Sequence, residues 1–247
     1  VRPDRSEAII LQSIPSRERD KLIVFLTPDK GKRKGWAYGA RGMRSRFGAA
    51  LEPLAKVELV FLEKESEEAV RIESASMIRS AFPAQQELAR SLAATYVAES
   101  VDTFVQPDDP SELVYRLLDT IIEALLEGHP VEPVVAYAEV WILKLGGVFP
   151  SIRHCTLCQK PLQRPLRCDI RGGLVCADCA EPGVMMIPNP VADLLTALVT
   201  TPVERFATMA IAPDDLFELR ALARDLRRYV LGHELKSHDL LQSVIRA

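Results

Sequence analysis

The spacing of apolar residues in this chain changes once, at Phe82-Pro83, and that change demands two kinds of structure from one polypeptide. Before it, residues 8–13, 22–27, 32–39, 57–63 and 69–78 are short runs of β-branched, aromatic or alternating residues. Charged or turn-forming stretches such as Thr27-Pro28-Asp29-Lys30-Gly31 separate them. Five strands in about 80 residues suit a small barrel. After the break the period lies between three and four. Leu88, Leu92, Tyr96 and Val101 form one helical stripe and Leu113, Leu117, Ile121 and Leu125 a second; residues 134–145 form a third helix, stopped by Gly146-Gly147. Asp109-Pro110-Ser111-Glu112 predicts a helix start with Asp109 as N-cap and Pro110 at the first helical position. A cap followed by proline recurs at Asn189-Pro190, and Leu216, Leu219, Ala223, Leu226 and Val230 predict a last long helix packing back on the earlier ones.

Charge divides along the same line. The 247 residues carry a formal net charge of -3, but residues 1–80 hold 16 basic and 12 acidic side chains and residues 81–150 hold 3 and 11. A basic module is therefore joined to an acidic one. No apolar run reaches the roughly 18 residues of a bilayer span, and residues 1–20 are not built like a signal peptide, so a soluble protein of the cell interior, without a membrane partner, is expected.

Residues 150–182 interrupt the helical part with Cys155-x2-Cys158 and, 17 residues on, Cys176-x2-Cys179. Two residues between cysteines bring both thiolates to one face of a tight turn, and two such turns give the tetrahedral sulfur set that suits Zn2+. Four thiolates leave no open position for water or substrate, so the zinc is expected to be structural. Cys168 reads as a buried thiol, and His154 as a weaker candidate ligand.

Signatures of catalysis are missing. Gly31-Lys32-Arg33-Lys34-Gly35 is not a phosphate loop, and His233-Glu234 with His238 misses H-E-x-x-H by one residue. The zinc deaminase pattern is also absent, since His154 rather than proline precedes Cys155. The chain is not expected to be an enzyme.

Residues 30–46 hold seven cations (Lys30, Lys32, Arg33, Lys34, Arg41, Arg44 and Arg46) and no carboxylate. Such a run follows phosphates by counterion release, and nearby aromatics stack on unpaired bases. Trp36 and Tyr38, two apart on a strand, share one face. Facing out they are a stacking platform beside Lys32 and Lys34; facing in they are barrel core, and Arg41, Arg44 and Arg46 meet the phosphates. Arg220, Arg224 and Arg227 fall at i, i+4 and i+7 and give the last helix either a basic stripe for DNA or an acidic partner, or an ordinary solvated face.

These motifs resemble a known family. Glu7-Ala8-Ile9-Ile10-Leu11, Asp20-Lys21-Leu22-Ile23-Val24-Phe25-Leu26-Thr27, Lys30-Gly31-Lys32, Tyr38-Gly39-Ala40-Arg41-Gly42, Arg44-Ser45-Arg46 and Leu51-Glu52-Pro53-Leu54 are similar to the amino-terminal domain of the bacterial recombination mediators of the RecO family. Leu143-Lys144-Leu145-Gly146-Gly147-Val148-Phe149-Pro150, Gly172-Gly173-Leu174-Val175-Cys176 and Arg228-Tyr229-Val230-Leu231-Gly232-His233-Glu234-Leu235-Lys236-Ser237 resemble its carboxy-terminal domain. The chain departs from many relatives at Ser16-Arg17-Glu18-Arg19-Asp20, and at His238 where an arginine is usual.

The resemblance implies an α+β protein: a five-stranded OB-fold barrel over residues 1–80, then a helical domain over 81–247 interrupted by the 150–182 zinc-binding module. It implies a non-enzymatic protein of the bacterial cytoplasm and nucleoid that binds single- and double-stranded DNA and anneals complementary strands. It further implies that the protein recognises the acidic C-terminal tail of single-stranded DNA-binding protein (SSB) and, with RecR, promotes RecA loading. The rival reading is a zinc-stapled protein-interaction adaptor whose acidic helices do the work.

Overall fold

The computed structural model describes residues 3–43, 45–63, 68–149, 151–171 and 173–245. Arg44, Pro150 and Gly172, singled out above, lie outside the described residues.

Strands β1 (Asp4–Ser16), β2 (Asp20–Thr27), β3 (Gly31–Ala37), β4 (Lys56–Leu62) and β5 (Val70–Arg79) close into a barrel of order β1-β2-β3-β5-β4. That order, with a parallel β3–β5 seam among antiparallel pairs, is that of an OB barrel. β1 serves two neighbours: Asp4–Ile9 pairs with β4 and Ile9–Ser16 with β2, and a bulge between Ile10 and Gln12 bends it around the corner. Ala8, Ile10, Ile23, Phe25, Ala37, Val57, Leu59, Phe61, Val70 and Ile72 fill the interior, and Phe47, Ala50 and Leu51 from the β3–β4 connection plug one end. Gly35 takes no side chain because a Cβ there would come within 2.8 Å of Ile72.

The helical part consists of α1 (Phe82–Gln85), α2 (Leu88–Phe104), α3 (Glu112–Leu126) and α4 (Val131–Leu145), then α5 (Asn189–Thr200), α6 (Val203–Ala207), α7 (Pro213–Leu231) and α8 (His238–Ile245). α4 is apolar nearly all round and packs against α2, α3, α6 and α7, so it is the central rod. None of the helices is long and apolar enough to cross a membrane, among the described residues.

Three short strands, β6 (Leu166–Asp169), β7 (Gly173–Val175) and β8 (Met185–Ile187), form a sheet of order β7-β6-β8 between α4 and α5. β8 extends this module beyond residue 182. Three residues, Met-Met-Ile, are too few to carry a readable alternation. Leu166, Cys168, Leu174 and Ile187 sink into the helical core and tie the module down.

The start of α3 differs from the sequence expectation. The N-cap is Ser111 and the helix begins at Glu112. Asp109 is unavailable as a cap because the stretch before α3 is committed to the barrel: Asp108 N–H donates to Lys32 O at 3.0 Å, and Pro107 bridges Lys32 in parallel fashion. The fit is close enough that a Cβ on Gly31, which has φ +66°, would lie 2.2 Å from Asp109 O.

The largest departure lies on α7. Arg220 and Arg227 are buried, 6% and 2% exposed, so neither the basic-stripe nor the solvated-face reading holds for them. Both converge on Glu139 of α4, with Arg220 Nε 3.1 Å and Arg227 Nη1 3.6 Å from its carboxylate. The Tyr96 hydroxyl of α2 donates to the same carboxylate at 2.6 Å, Arg227 also donates to Tyr96, Glu132 pairs with Arg220 and Glu234 with Arg227. Only Arg224 stays partly exposed, beside Asp225. At about 100° per residue, Arg220 and Arg227 point along the same arc as Leu216 and Ala223, whereas Arg224 sits at its edge.

Burial opposes ionisation of Glu139, but Arg220, Arg227 and the Tyr96 hydroxyl outweigh it and hold the carboxyl below its ordinary value of 4.5. Its folded value is thus below its unfolded one. The stability it contributes is complete above about pH 4.5 and is lost as pH falls through the folded value. Glu139→Ala strands two buried guanidinium groups and is expected to cost about 3–5 kcal/mol in urea denaturation, while Arg224→Ala stays within about 0.5 kcal/mol. Equal effects from the two variants would contradict the network.

Candidate nucleic-acid interface and metal centre

In β3, Gly35 and Ala37 point into the barrel, so Lys32, Lys34 and Trp36 point out. Trp36 is half-buried and belongs to neither core, which leaves it on the outer face. The register puts it in a row running Ile14, Leu22, Trp36, Arg71 across β1, β2, β3 and β5. Tyr38, just past the end of β3, is 45% exposed, and the Arg71 guanidinium lies 5.8 Å from its ring centroid. Ile14 is 40% exposed and closes the other end of the row. The outcome is an apolar and aromatic shelf with a cation over its tip.

The cations of residues 30–46 divide into two groups. Those on or next to β3 are engaged by carboxylates from elsewhere in the chain: Lys30 with Asp4 at 2.9 Å, Lys32 with Asp102 at 3.1 Å, Arg33 with Glu63 at 2.6 Å and Asp108 at 2.7 Å, and Lys34 with Glu68 at 3.4 Å. Of those in the β3–β4 connection, Arg41 and Arg46 differ. Arg41 and Arg46 are exposed and have no carboxylate partner among the described residues. Arg41 is held by its backbone, which donates to Arg19 O at 2.9 Å, and by its guanidinium, which donates to Arg17 O at 3.0 Å. Arg46 lies over the Phe47 ring at 4.9 Å, and Phe47 is part of the barrel plug.

The β1–β2 turn and the start of the β3–β4 connection thus meet at one end of the barrel. They bring together Arg17, Arg19 and Arg41, all exposed and without carboxylate partners among the described residues. Arg17, Arg19 and Arg71 went unread as site residues. The first two are separated from the basic run by β2, and only the barrel register joins Arg71 to Trp36.

The four paired cysteines also come together. The ligand sulfurs of Cys155, Cys158, Cys176 and Cys179 all lie within 4.8 Å of one another, and Cys158 and Cys176 are 3.6 Å apart. A tetrahedral ion bonded to sulfur at about 2.3 Å sets its sulfurs about 3.8 Å apart, so the cluster has the dimensions of a metal site. The backbone N–H of Cys158, and after it those of Cys176 and Leu157, bring the Cys155 thiol down to about 6. The neighbouring sulfurs oppose ionisation of Cys179, which is pushed up to about 12, first by its side-chain contacts with Cys158 and Cys176, then by burial, with charge repulsion from Cys158 a lesser addition. A divalent cation removes that opposition and lets all four sulfurs ionise. His154 is exposed, bridges Pro161 through its backbone and stays outside the sulfur cluster. Cys168 is buried on β6, and burial raises its thiol to about 11.

Comparison with known proteins agrees with this architecture. The sequence profile "Recombination protein O N terminal" matches residues 3–81, the barrel, and "Recombination protein O C terminal" matches residues 85–239. The chain belongs to the RecO family. It is 33% identical over 231 residues to the DNA repair protein RecO of Koribacter versatilis, covering 92% of this chain and 90% of the relative. The protein of the same name from Anaeromyxobacter sp. is 29% identical over 241 residues, covering 96% and 94%, and that of Geobacter metallireducens is 30% identical over 221 residues, covering 88% of each. The motifs that resembled the family therefore belong to a match over nearly the full length.

The sulfur cluster predicts about one metal ion per chain by elemental mass spectrometry of the purified protein. Cys158→Ser or Cys176→Ser is expected to lose that ion and to lower Tm by about 5 °C or more, the shift of a roughly 2 kcal/mol loss in a chain this size. A variant that keeps both the metal and the Tm would exclude these sulfurs as ligands.

Proposed function

We propose that this RecO-family chain acts in DNA repair as a non-enzymatic recombination mediator, with its barrel as the DNA-binding unit. One observation carries the proposal: the Ile14–Leu22–Trp36–Arg71 row, with Tyr38 at its end, adjoins the pole where Arg17, Arg19 and Arg41 have no carboxylate partners among the described residues. The faces of strands 2 and 3 and the adjoining loops are where OB barrels take oligonucleotides. Bases stacked on Trp36 and Tyr38 are read without regard to sequence, and their phosphates are met by Arg41 and Arg46, whereas Arg71, beside Tyr38, is itself paired with Glu73 at 2.7 Å. Of the cations predicted from the sequence, Lys30, Lys32, Arg33 and Lys34 contribute less, because each already has a carboxylate partner.

Annealing follows from the same surface. Cations that neutralise two backbones at once lower the repulsion between strands and let complementary bases find each other, with no hydrolysis involved. The proposal includes double-stranded DNA and the cooperating proteins of the resemblance: RecR, the acidic tail of SSB and, through them, RecA loading. It also includes a structural Zn2+ in the Cys155, Cys158, Cys176, Cys179 cluster, and the division into residues 1–80 and 81–247 with an inserted module from 150 to 182. The adaptor reading loses ground because several carboxylates of the acidic helical block, among them Asp102, Asp119 and Glu139, are engaged within the chain.

Anisotropy of a labelled single-stranded oligonucleotide, titrated at several salt concentrations, tests the proposal. The wild type is expected to lose affinity linearly on a log–log plot, with a slope of about -0.7 per phosphate contacted. Arg41→Glu/Arg46→Glu flattens that slope by about 1.4. Trp36→Ala weakens binding by about 1–3 kcal/mol with the slope unchanged. Weak binding that ignores both salt and these variants would move the function away from the barrel.

A further inference from the structure

β3 pairs with β5 only through Gly35 and Trp36, so the Gly31–Lys34 half of its edge needs another cover. The stretch before α3 supplies it. Asp108 N–H donates to Lys32 O, Pro107 lies opposite Lys32 in a parallel bridge, and Asp109 lies so close to Gly31 that only glycine fits there. With that backbone come two carboxylates aimed at the strand's cations: Asp108, 2.7 Å from Arg33 Nε, and Asp102 at the end of α2, 3.1 Å from Lys32 Nζ. Asp108 holds φ +58° and its side chain is 66% exposed, so packing does not demand its charge. Behind it opens a cleft of about 440 Å³ lined by Gln12, Leu22, Lys32, Lys34, Asp102 and Asp108, beginning two residues from Trp36.

We infer that Lys32 and Arg33 form a latent phosphodiester-binding site at the edge of β3, closed by Asp102 and Asp108, which occupy it as internal substitutes for phosphate, while Glu63 remains a second partner of Arg33 and Glu68 the partner of Lys34. The inference rests on the reading that the barrel binds nucleic acid, and it deepens that reading. Unmasked, the outer edge of β3 would continue the phosphate path from the Arg41 pole along the aromatic shelf; masked, the footprint ends at Trp36. The acidic stretch thereby sets how many phosphates the barrel holds, and how readily a strand leaves.

The test compares salt slopes for a labelled single-stranded oligonucleotide. Asp108→Asn keeps the backbone, because asparagine tolerates positive φ as aspartate does, and removes only the charge. It is expected to bind about two- to fivefold tighter at about 0.1 M salt, the range of one exposed ion pair. The slope steepens by up to about 0.7, and Asp102→Asn/Asp108→Asn steepens it by about 0.7 to 1.4. Adding Arg33→Gln to Asp108→Asn should cancel the single variant's gain. Asp214→Asn removes an equal charge from the exposed first turn of α7 and should leave both affinity and slope unchanged. If the wild type binds with a steep slope and the Asp108→Asn slope is the same, or if Asp214→Asn gains as much, the mask is refuted while the barrel site stands. If the wild type shows no salt-sensitive binding, the barrel reading fails and the mask with it.

Discussion

Burial of β1 and β2 on both faces is the constraint from which the rest of the structure follows. Ala8, Ile10, Ile23 and Phe25 point into the barrel, while Ile9, Leu11, Val24 and Leu26 point outward into the core of the helical part. That is why Ala8-Ile9-Ile10-Leu11 and Ile23-Val24-Phe25-Leu26 read as continuous apolar runs. Once one flank of the barrel is sealed against α2 and α3, its open face is limited to the far ends of β1 and β2 and the surface of β3. The aromatic shelf lies there because it is where outward side chains still reach water.

The charge asymmetry has the same origin. A basic barrel and an acidic helical block meet across the seam, and many of their charges neutralise one another: Asp119 takes Lys56 at 2.8 Å and Arg79 at 2.6 Å, and Asp102 takes Lys32 and accepts from Gln12 at 2.6 Å. Partly buried pairs of this kind orient the two parts more than they stabilise them, because desolvation offsets much of the attraction. The cations without such partners lie at the end of the barrel farthest along β3 from the helices' acids. What looks in the sequence like one undivided basic patch is, in three dimensions, a neutralised strand edge and an arginine pole that has no carboxylate partner among the described residues.

Periodicity made the five strands and the main helices legible, and spacing made the sulfur cluster legible, because both are local properties of the chain. The hidden features depend on long-range register. Arg71 joins the shelf only because β3 and β5 are parallel neighbours, and Arg17 joins the pole only because the β1–β2 turn accepts hydrogen bonds from Arg41. Arg220 and Arg227 misled through chemistry rather than distance. Their angular position on α7 already placed them within the apolar arc, but arginine is rarely buried, and the partner that makes burial tolerable, Glu139, is 81 residues from Arg220 in sequence. A lone glutamate in the apolar α4 run Val134-Val135-Ala136-Tyr137-Ala138-Glu139-Val140 was the visible counterpart.

α2 connects these parts. Along one side it presents Tyr96 to the Glu139–Arg227 cluster, Glu99 to the backbone N–H groups of Lys236 and Ser237 at 2.9 Å each, and Asp102 to Lys32 and Gln12 of the barrel. These anchors are three residues apart, about one helical turn, so a single rigid element ties β3 to the buried ion cluster and to the segment that leads into α8. The hydrogen bonds from Ser237 and Lys236 outweigh the burial that opposes ionisation of Glu99, holding its carboxyl below the usual range and keeping that anchor charged at neutral pH. A stacking surface that recognises bases without hydrogen-bonding them depends on rings already fixed in place, since any freedom lost on binding is subtracted from a small stacking gain. Trp36 stands on such a support: its strand is fastened at one end by the barrel register and at the other, through Lys32 and Asp102, to a helix braced by buried charge.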